Sequence, residues 1–380
     1  MKRIVMFGGG SGSRDITMAL CRQRDVITRV VPAWDSGGSS KALRERLGIL
    51  AMGDIRQALM TLAHGENRVS SVVRFFNARL SEAADPVDLL GEFDFYASGA
   101  HPLLATMTPD IRDAVLDCLQ VFRDHVGADF DWRRGSIGNF VLTGAYLAHG
   151  RDINAAIAIF RKLCGIEAQV WPSTTADAVA LHAQLRDGSV VHGQDRVTAL
   201  APALARLGIG HVQLALADDH ASGALPLANP AVLKAIAEAD LLVFGPGSFF
   251  TSTLAHFAVQ GIAQAVAATS PDVPKVLVGN ILECPETTGR SLAELVRAFE
   301  QAAGPEVLTH VLANRSWVPF ARVVTGFRYL AEGLLAPAVP VKVLFDDYED
   351  PWRRGKHDAD KVVATLSVLL AAKESLQTVP

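Results

Sequence analysis

The chain has 380 residues, 49% apolar, 20% charged and 7% aromatic, with 36 Lys and Arg against 40 Asp and Glu for a formal net charge of -4. A prior of about 150 residues per domain makes it roughly two or three domains long, and the near balance of charge leaves no basic field to hold a nucleic-acid backbone. Its 31 glycines sit in short clusters beside apolar runs, which excludes a disordered chain of low hydrophobicity.

The first apolar run, Ile4 to Phe7, is too short for a signal sequence and reads as a strand, so a cytoplasmic setting is expected. Gly8-Gly9-Gly10-Ser11-Gly12-Ser13 follows and leads into a helical pattern at Ile16 to Cys21. At a strand-to-helix junction, backbone N–H groups form an anion site, and glycine lets the chain approach phosphate closely. As a dinucleotide fingerprint it is incomplete, with Ser13 in the third glycine's place, and the P-loop lysine is absent. The alternative is a tight turn, which needs fewer than four glycines.

Val26 to Ala33 reads as a second strand, so Trp34-Asp35-Ser36-Gly37-Gly38-Ser39-Ser40 is expected on the same carboxyl edge, where open α/β sheets bind ligands. Asp35 is suited to holding Mg2+ beside a diphosphate or to taking a proton from an attacking hydroxyl, and equally to capping a turn. In Gly53-Asp54-Ile55-Arg56, Asp54 either N-caps a helix starting at Ile55 or faces Asp35 as a second carboxylate.

Residues 55–165 carry apolar positions at three and four spacing through Ile55 to Ala63, Val72 to Leu80, Ile111 to His125 and Ile137 to His149, the pattern of a helical cap. Ser81 to Pro109 has no steady period and reads as a long surface segment. Ser136-Ile137-Gly138-Asn139 and Pro172-Ser173-Thr174 offer neutral donors, or helix caps. Ala183 to Arg186, Asp187-Gly188 and Ser189 to His192 predict a hairpin.

Val212 to Ala217, Leu241 to Phe244 and Val276 to Val278 are short unbroken apolar runs of the kind a parallel sheet covers on both faces. Helices are predicted at Pro230 to Glu238, capped by Asn229, and at Ser291 to Ala302, where Ser291 and Glu294 make a capping box. A third glycine loop, Gly245-Pro246-Gly247-Ser248, lies between a strand and an expected helix. The chain closes with a strand at Val339 to Phe345, an acidic loop at Asp346 to Lys356 and a helix from about Asp358 to Lys373. Cys21, Cys118, Cys164 and Cys284 show no metal or disulfide spacing and read as buried small hydrophobes. No apolar run reaches the roughly 18 residues of a membrane span. There is no G-x-S-x-G or H-E-x-x-H.

The expected fold is α/β, a doubly wound, mostly parallel Rossmann-like sheet built from 1–54 and 166–380, with 55–165 as the helical cap insertion. The expected phosphate site comprises Gly8, Gly9, Gly10, Ser11, Gly12, Gly37, Gly38, Ser39, Asn139, Gly245, Gly247 and Ser248.

These blocks, in this order and with Gly48-Ile49-Leu50, Ala239-Asp240 and Lys356-His357-Asp358, resemble the signatures of the CofD-like superfamily, with Ser81 to Arg134 an insertion. The resemblance implies one of two functions. The first is transfer of a phospholactyl-type group from a nucleoside-diphosphate-linked donor to an acceptor hydroxyl with Mg2+. The second is a non-catalytic, nucleotide-sugar-binding regulator, the gluconeogenesis-factor branch, whose wording Gly37-Gly38-Ser39-Ser40 and Gly53-Asp54-Ile55-Arg56 approach more nearly. It implies Asp35 as metal ligand, and Asp35, Asp54, Arg56 and Arg79 as catalytic residues, Arg79 matching the arginine upstream of Ser-Ile-Gly-Asn. A homodimer is a family expectation. Where the family has two adjacent aspartates, this chain has Asp35 and Ser36, and the altered insertion implies an acceptor other than a deazaflavin.

Overall fold

The computed structural model describes residues 1–127, 129–216, 224–315, 326–333 and 341–377. Its strands are β1 (Arg3–Phe7), β2 (Val26–Val31), β3 (Gln169–Pro172), β4 (Val179–Leu185), β5 (Val190–His192), β6 (Ile209–Leu216), β7 (Leu241–Phe244), β8 (Lys275–Val278), β9 (His310–Asn314) and β10 (Lys342–Asp346). Seven form one sheet in the order β10-β9-β8-β7-β1-β2-β3, and every neighbouring pair runs parallel. β7 and β8 are buried throughout, β1 in all but its first residue. Apolar residues on both strand faces call for helices on both sheet faces, and this is the doubly wound α/β arrangement.

β4, β5 and β6 form a separate antiparallel sheet in the order β5-β4-β6. The predicted hairpin is its β4–β5 turn, while Val212 to Leu216, expected in the parallel sheet, lies instead in β6. Only Ile209 and Leu214 of β6 are buried; its apolar run covers a one-sided sheet. Ala217, Val339 and Pro340 of the predicted strands lie outside the described residues.

The connection from β2 to β3 is helical throughout. The helix Met52–Gly65 packs on β2, β3 and the helix Arg14–Leu20, so the boundary expected at 54/55 falls inside a helix of the sheet layer. The segment Ser81 to Pro109 is not a long surface loop: it holds helices Pro86–Ala97 and Pro102–Ala105. Each opens on a capped proline, with the Asp85 carboxylate accepting from the amides of Val87 and Asp88 and the His101 ring from Leu103. Leu89, Phe93 and Leu104 are buried, and Phe93 joins an aromatic cluster with Trp132 (ring centroids 4.3 Å apart), Phe122 and Phe140. Asn229 caps Pro230–Ala237, and Ser291 and Glu294 form the predicted capping box. All four cysteines are free, but Cys21 and Cys284 are half-buried where full burial was expected.

Within the cap, Gly144 on the helix Ile137–Ala148 lies against the carbonyl of Cys118 on Pro109–Val126, with no room for a Cβ. Gly144→Val is therefore expected to cost about 2–3 kcal/mol through overpacking, read as a lowered urea midpoint; an unchanged midpoint would show that the helices can separate freely.

Candidate functional site

β1 and β7 lie side by side, and from them the chain winds outward through β2 and β3 on one side and β8, β9 and β10 on the other. The loops leaving β1 and β7 therefore meet at the switch point, where parallel sheets open a crevice. A Cβ on Gly12 would stand 2.6 Å from the Gly247 Cα and 3.0 Å from the Pro246 carbonyl, so glycine is what lets these loops lie against each other. Asn280, beyond β8, clamps Gly247: its Nδ2 donates to the Gly247 carbonyl (2.9 Å) and its Oδ1 accepts from the amide (3.3 Å).

A cleft of about 440 Å³ opens here, lined by Ser11, Gly12, Pro246, Gly247 and Ser248 together with Arg14, Arg353, Lys356 and His357. Arg353 pairs with Asp15 and Asp350. Arg14 and Lys356 form no ion pair among the described residues, and their charge is open to an anion. His357 donates Nε2–H to the Gly279 carbonyl (3.0 Å), and burial holds its pKa down at about 4, so it is neutral at pH 7.

Behind the first loop, the fully buried Arg29 of β2 donates to Thr17 Oγ1 and to the carbonyls of Gly8 (3.0 Å) and Gly9 (3.4 Å). Burial lowers its pKa to about 10, which leaves it charged. The amide of Gly10 donates to Asp54 Oδ1 at 2.9 Å. The planar peptide between Gly9 and Gly10 thus faces a cation with its carbonyl and a carboxylate with its N–H.

Asp35 and Asp54 meet where the loops after β1 and β2 converge. Asp35 Oδ1 accepts from the Gly37 amide (3.1 Å), and Arg44 steadies the loop through the carbonyls of Trp34 and Asp35. Gly53 fits between them: a Cβ there would lie 2.7 Å from Asp35 Oδ2 and collide with Ser40. Both carboxylates are half-buried and neither forms an ion pair among the described residues. Burial raises both pKa values, and the charge of Asp35 raises Asp54 further, to about 7. Arg29 and Arg56 oppose that rise. Arg56 donates through Nε to Asn139 Oδ1 (3.2 Å), whose Nδ2 donates to Ser39 Oγ (2.7 Å). Arg79, exposed, lies near enough to Arg56 to lower its pKa.

The structure thus brings together Gly8 to Gly12 with Gly245 to Ser248, and Asp35 with Asp54, Arg56 and Arg79. Several expectations are corrected. Asp54 does not cap a helix: Met52–Gly65 begins two residues earlier with Ala51 at the cap, and the Asp54 carboxylate reaches Gly10 instead. Of the expected phosphate-binding glycines only Gly12 and Gly247 line the cleft: Gly8, Gly9, Gly10 and Gly245 are buried behind it, the Gly10 amide already donating to Asp54, and Gly37 and Gly38 do not line it. Gly38 borders a different cavity of about 740 Å³ beside the cap, whose charges are matched in the pairs Arg46–Asp129, Arg133–Asp131, Arg134–Glu82 and Lys41–Glu45; it is larger, but it offers no net cation to a diphosphate. Ser39 and Asn139 are buried in the Arg56 chain and do not line the cleft either.

Ser36 turns away to Asp195, its Oγ 2.8 Å from that carboxylate. Ser136 makes no side-chain cap. Ser173 bonds His256 in the core, and Thr174 accepts from the Ala176 amide. The third loop leads not into a regular helix but into two short helical turns, Phe249–Thr253 and Leu254–Ala258, held by the buried Glu286, which accepts from the amides of Phe250 and Thr251. Arg29, Arg14, Asn280 and Lys356 were missed as site residues. A lone arginine inside the apolar run Val26 to Val31 was the available signal for the first.

Among the described residues no three His, Cys, Asp or Glu side chains gather as a metal cluster. The Asp35–Asp54 pair nevertheless fits Mg2+, which takes one or two carboxylates and completes its shell with water and phosphate oxygens; a cation would relieve the repulsion that lifts Asp54. No helix among the described residues is long and apolar enough to cross a membrane.

Fold and site together define a parallel α/β protein with a cleft at its switch point that presents two cations, Arg14 and Lys356, without ion pairs among the described residues. A model of the family described as 2-phospho-L-lactate transferase CofD matches residues 4–327, and the chain belongs to that family. It is 26% identical to the gluconeogenesis factor of Listeria monocytogenes over 376 residues, 97% of this chain and 95% of that one. It is 29% identical over 307 residues to a putative gluconeogenesis factor of Nostoc, covering 80% of this chain but only 53% of the relative, about half its length. A crystal structure of a UPF0052 family protein from Bacillus halodurans shares the fold, with a TM-score of 0.70 and 23% identity over 97% of this chain and 100% of that one.

A carboxyl group whose pKa is raised on folding binds its proton more tightly in the native state, so it lowers stability as pH climbs from the unfolded value towards the folded one. For Asp54 that window runs from about 4 to about 7. Asp54→Asn keeps the acceptor for Gly10 and removes the charge. In metal-free buffer its stability gain over the unsubstituted protein is expected to be small at pH 4, to grow through pH 7 and to level off at about 2 kcal/mol, discounted for partial exposure. Urea midpoints across that range test this; a pH-independent difference would contradict it.

Proposed function

We propose that the chain binds a nucleoside-diphosphate-linked small molecule, its diphosphate in the Gly12–Gly247 cleft, and transfers a substituted phosphoryl group of the phospholactyl type to an acceptor hydroxyl. The observation that carries this reading is the pair of repelling, half-buried carboxylates Asp35 and Asp54 beside an anion cleft. The cleft's backbone, with Arg14 and Lys356, takes the diphosphate charge. The acceptor oxygen bonds to phosphorus, the bridging P–O bond breaks, and the nucleoside monophosphate leaves with the electron pair. The hydroxyl proton passes to a carboxylate, and Asp54, poised near 7, is matched to that task at neutral pH. Arg56, near Asp54, and Arg79, near Arg56, would stabilise the charge on the transferred phosphoryl group. Mg2+ held by Asp35 would neutralise the phosphoryl oxygens and leave Asp54 free to take the proton.

A second reading, a non-catalytic nucleotide-sugar-binding regulator, is favoured by the relatives named gluconeogenesis factors and by Ser36, a serine where the family has its second adjacent aspartate, turned towards Asp195. Asp35→Asn separates the two. For a transferase, turnover is expected to fall by about 10²–10⁴-fold while the Kd for the nucleoside diphosphate stays within about threefold. Retained turnover would remove Asp35 from the chemistry. A nucleotide sugar that stabilises the protein and is never consumed, with any acceptor, would establish the regulator.

A further inference from the structure

We infer that the imidazoles of His182 and His192 form a binding site for a late first-row divalent metal ion of the Ni2+ or Cu2+ type, outside the cleft and apart from Asp35 and Asp54. The hairpin turn at Asp187-Gly188 folds β4 onto β5 so that His182 stands directly opposite His192. The amide of Gly193 donates to the Leu181 carbonyl (2.9 Å) and that of Leu185 to the Ser189 carbonyl (2.8 Å). The hydrogen-bonded pairs of the ladder therefore fall on odd positions, and His182–His192 is a non-hydrogen-bonded pair, the kind whose side chains stand closer. Val179, Leu181, Ala183 and Leu185 turn inward, which leaves His182 on the outer face of the sheet. There the two rings meet with their Nδ1 atoms 2.7 Å apart.

Two nitrogens bound at right angles to one ion, each at a metal–imidazole distance of about 2.0–2.1 Å, are about 2.9 Å apart, whereas a tetrahedral ion would spread them to about 3.3 Å. The pair thus needs to open by only about 0.2 Å for the first arrangement, which is that of square-planar or octahedral Ni2+ and Cu2+, ions that imidazole suits. In the uncharged pair one ring donates its Nδ1–H to the lone pair of the other. When that ring carries its proton on Nε2 instead, both Nδ1 lone pairs face the ion, with no net release of a proton. The rings border a cavity of about 480 Å³ between the outer face of the sheet and the helix Gly38–Leu47, which leaves room for water ligands. Asp195 and Glu45 line it too and offset the charge of the ion. Of its cations, Arg44 is turned onto the carbonyls of Trp34, Asp35 and Val179, and Lys41 and Arg196 are exposed, where salt screens them.

The ion would clip β5, a three-residue edge strand, to β4. It would also steady the helix Gln194–Thr198 that follows, whose Asp195 grips Ser36: the Asp195 amide donates to Ser36 Oγ (3.0 Å) and its carboxylate accepts from that hydroxyl (2.8 Å).

Isothermal titration of the tag-free full chain with NiCl2, in buffer carrying excess Mg2+ to occupy oxygen-ligand sites, tests the assignment. A single Ni2+ per chain is expected, and His182→Gln and His192→Gln are each expected to weaken it about tenfold or more. His211→Gln, an exposed position on the same face of β6, is expected to bind Ni2+ as the unsubstituted protein does. Circular dichroism in EDTA reports that the variants are folded, and His192, being exposed, is the position least able to disturb the fold. Ni2+ binding that survives both substitutions, that falls equally in His211→Gln, or that is absent from the unsubstituted protein would overturn the site.

Discussion

A guanidinium buried in the middle of a sheet is an expensive element, because an ion taken out of water carries a penalty of several kcal/mol in a protein interior. Arg29 is such a group, fully buried and without an ion pair among the described residues. Its compensation is the loop after β1: the carbonyls of Gly8 and Gly9 turn inward onto it. The peptide that follows then offers its N–H to Asp54. Hydrogen bonds to charged groups contribute about 1.5–3 kcal/mol each, so one buried cation fixes the loop's path and the carboxylate beside it. Asp54 in turn stands where Asp35 raises its pKa. The glycines are required by the same packing, since a Cβ on Gly9 would meet Ser252 and one on Gly10 would meet Asp54, both at 2.8 Å.

The site divides by charge along the sheet edge. Cations without ion pairs, Arg14 and Lys356, face the cleft on the β7 side, and carboxylates without ion pairs gather on the β2 side. An anionic group bound in the first region would hold its far end towards the second. This division shows how a chain of net charge -4 presents a locally cationic cleft: Arg14 and Lys356 have no ion pair among the described residues, and the other arginine of the cleft is neutralised by Asp15 and Asp350.

Much of this was legible in the sequence. The strands of the parallel sheet announce themselves because both faces are buried, leaving unbroken apolar runs such as Leu241 to Phe244. The same rule misplaced Val212 to Leu216, since an apolar run does not say which sheet it joins. Pro86–Ala97 was hidden because it buries only Leu89 and Phe93, too few positions to show a period, although Asp85-Pro86 was a readable start signal. The glycine loops were placed correctly at strand ends. What could not be read was which of them touch: Gly12 and Gly247 do, while Gly38 faces the cap. Asp54 shows the same limit, for an aspartate near a helix start favours a cap by local rules, and only the distant Gly10 amide gives it another use.

The most direct measurement is a crystal structure of the protein grown with Mg2+ and a nucleoside diphosphate. The expected result is diphosphate oxygens on the Gly12–Gly247 cleft beside Arg14 and Lys356, with the metal against Asp35. Diphosphate seated instead in the cavity beside Gly38, or a cleft left empty at saturating ligand, would contradict the assignment of this cleft as the phosphate site.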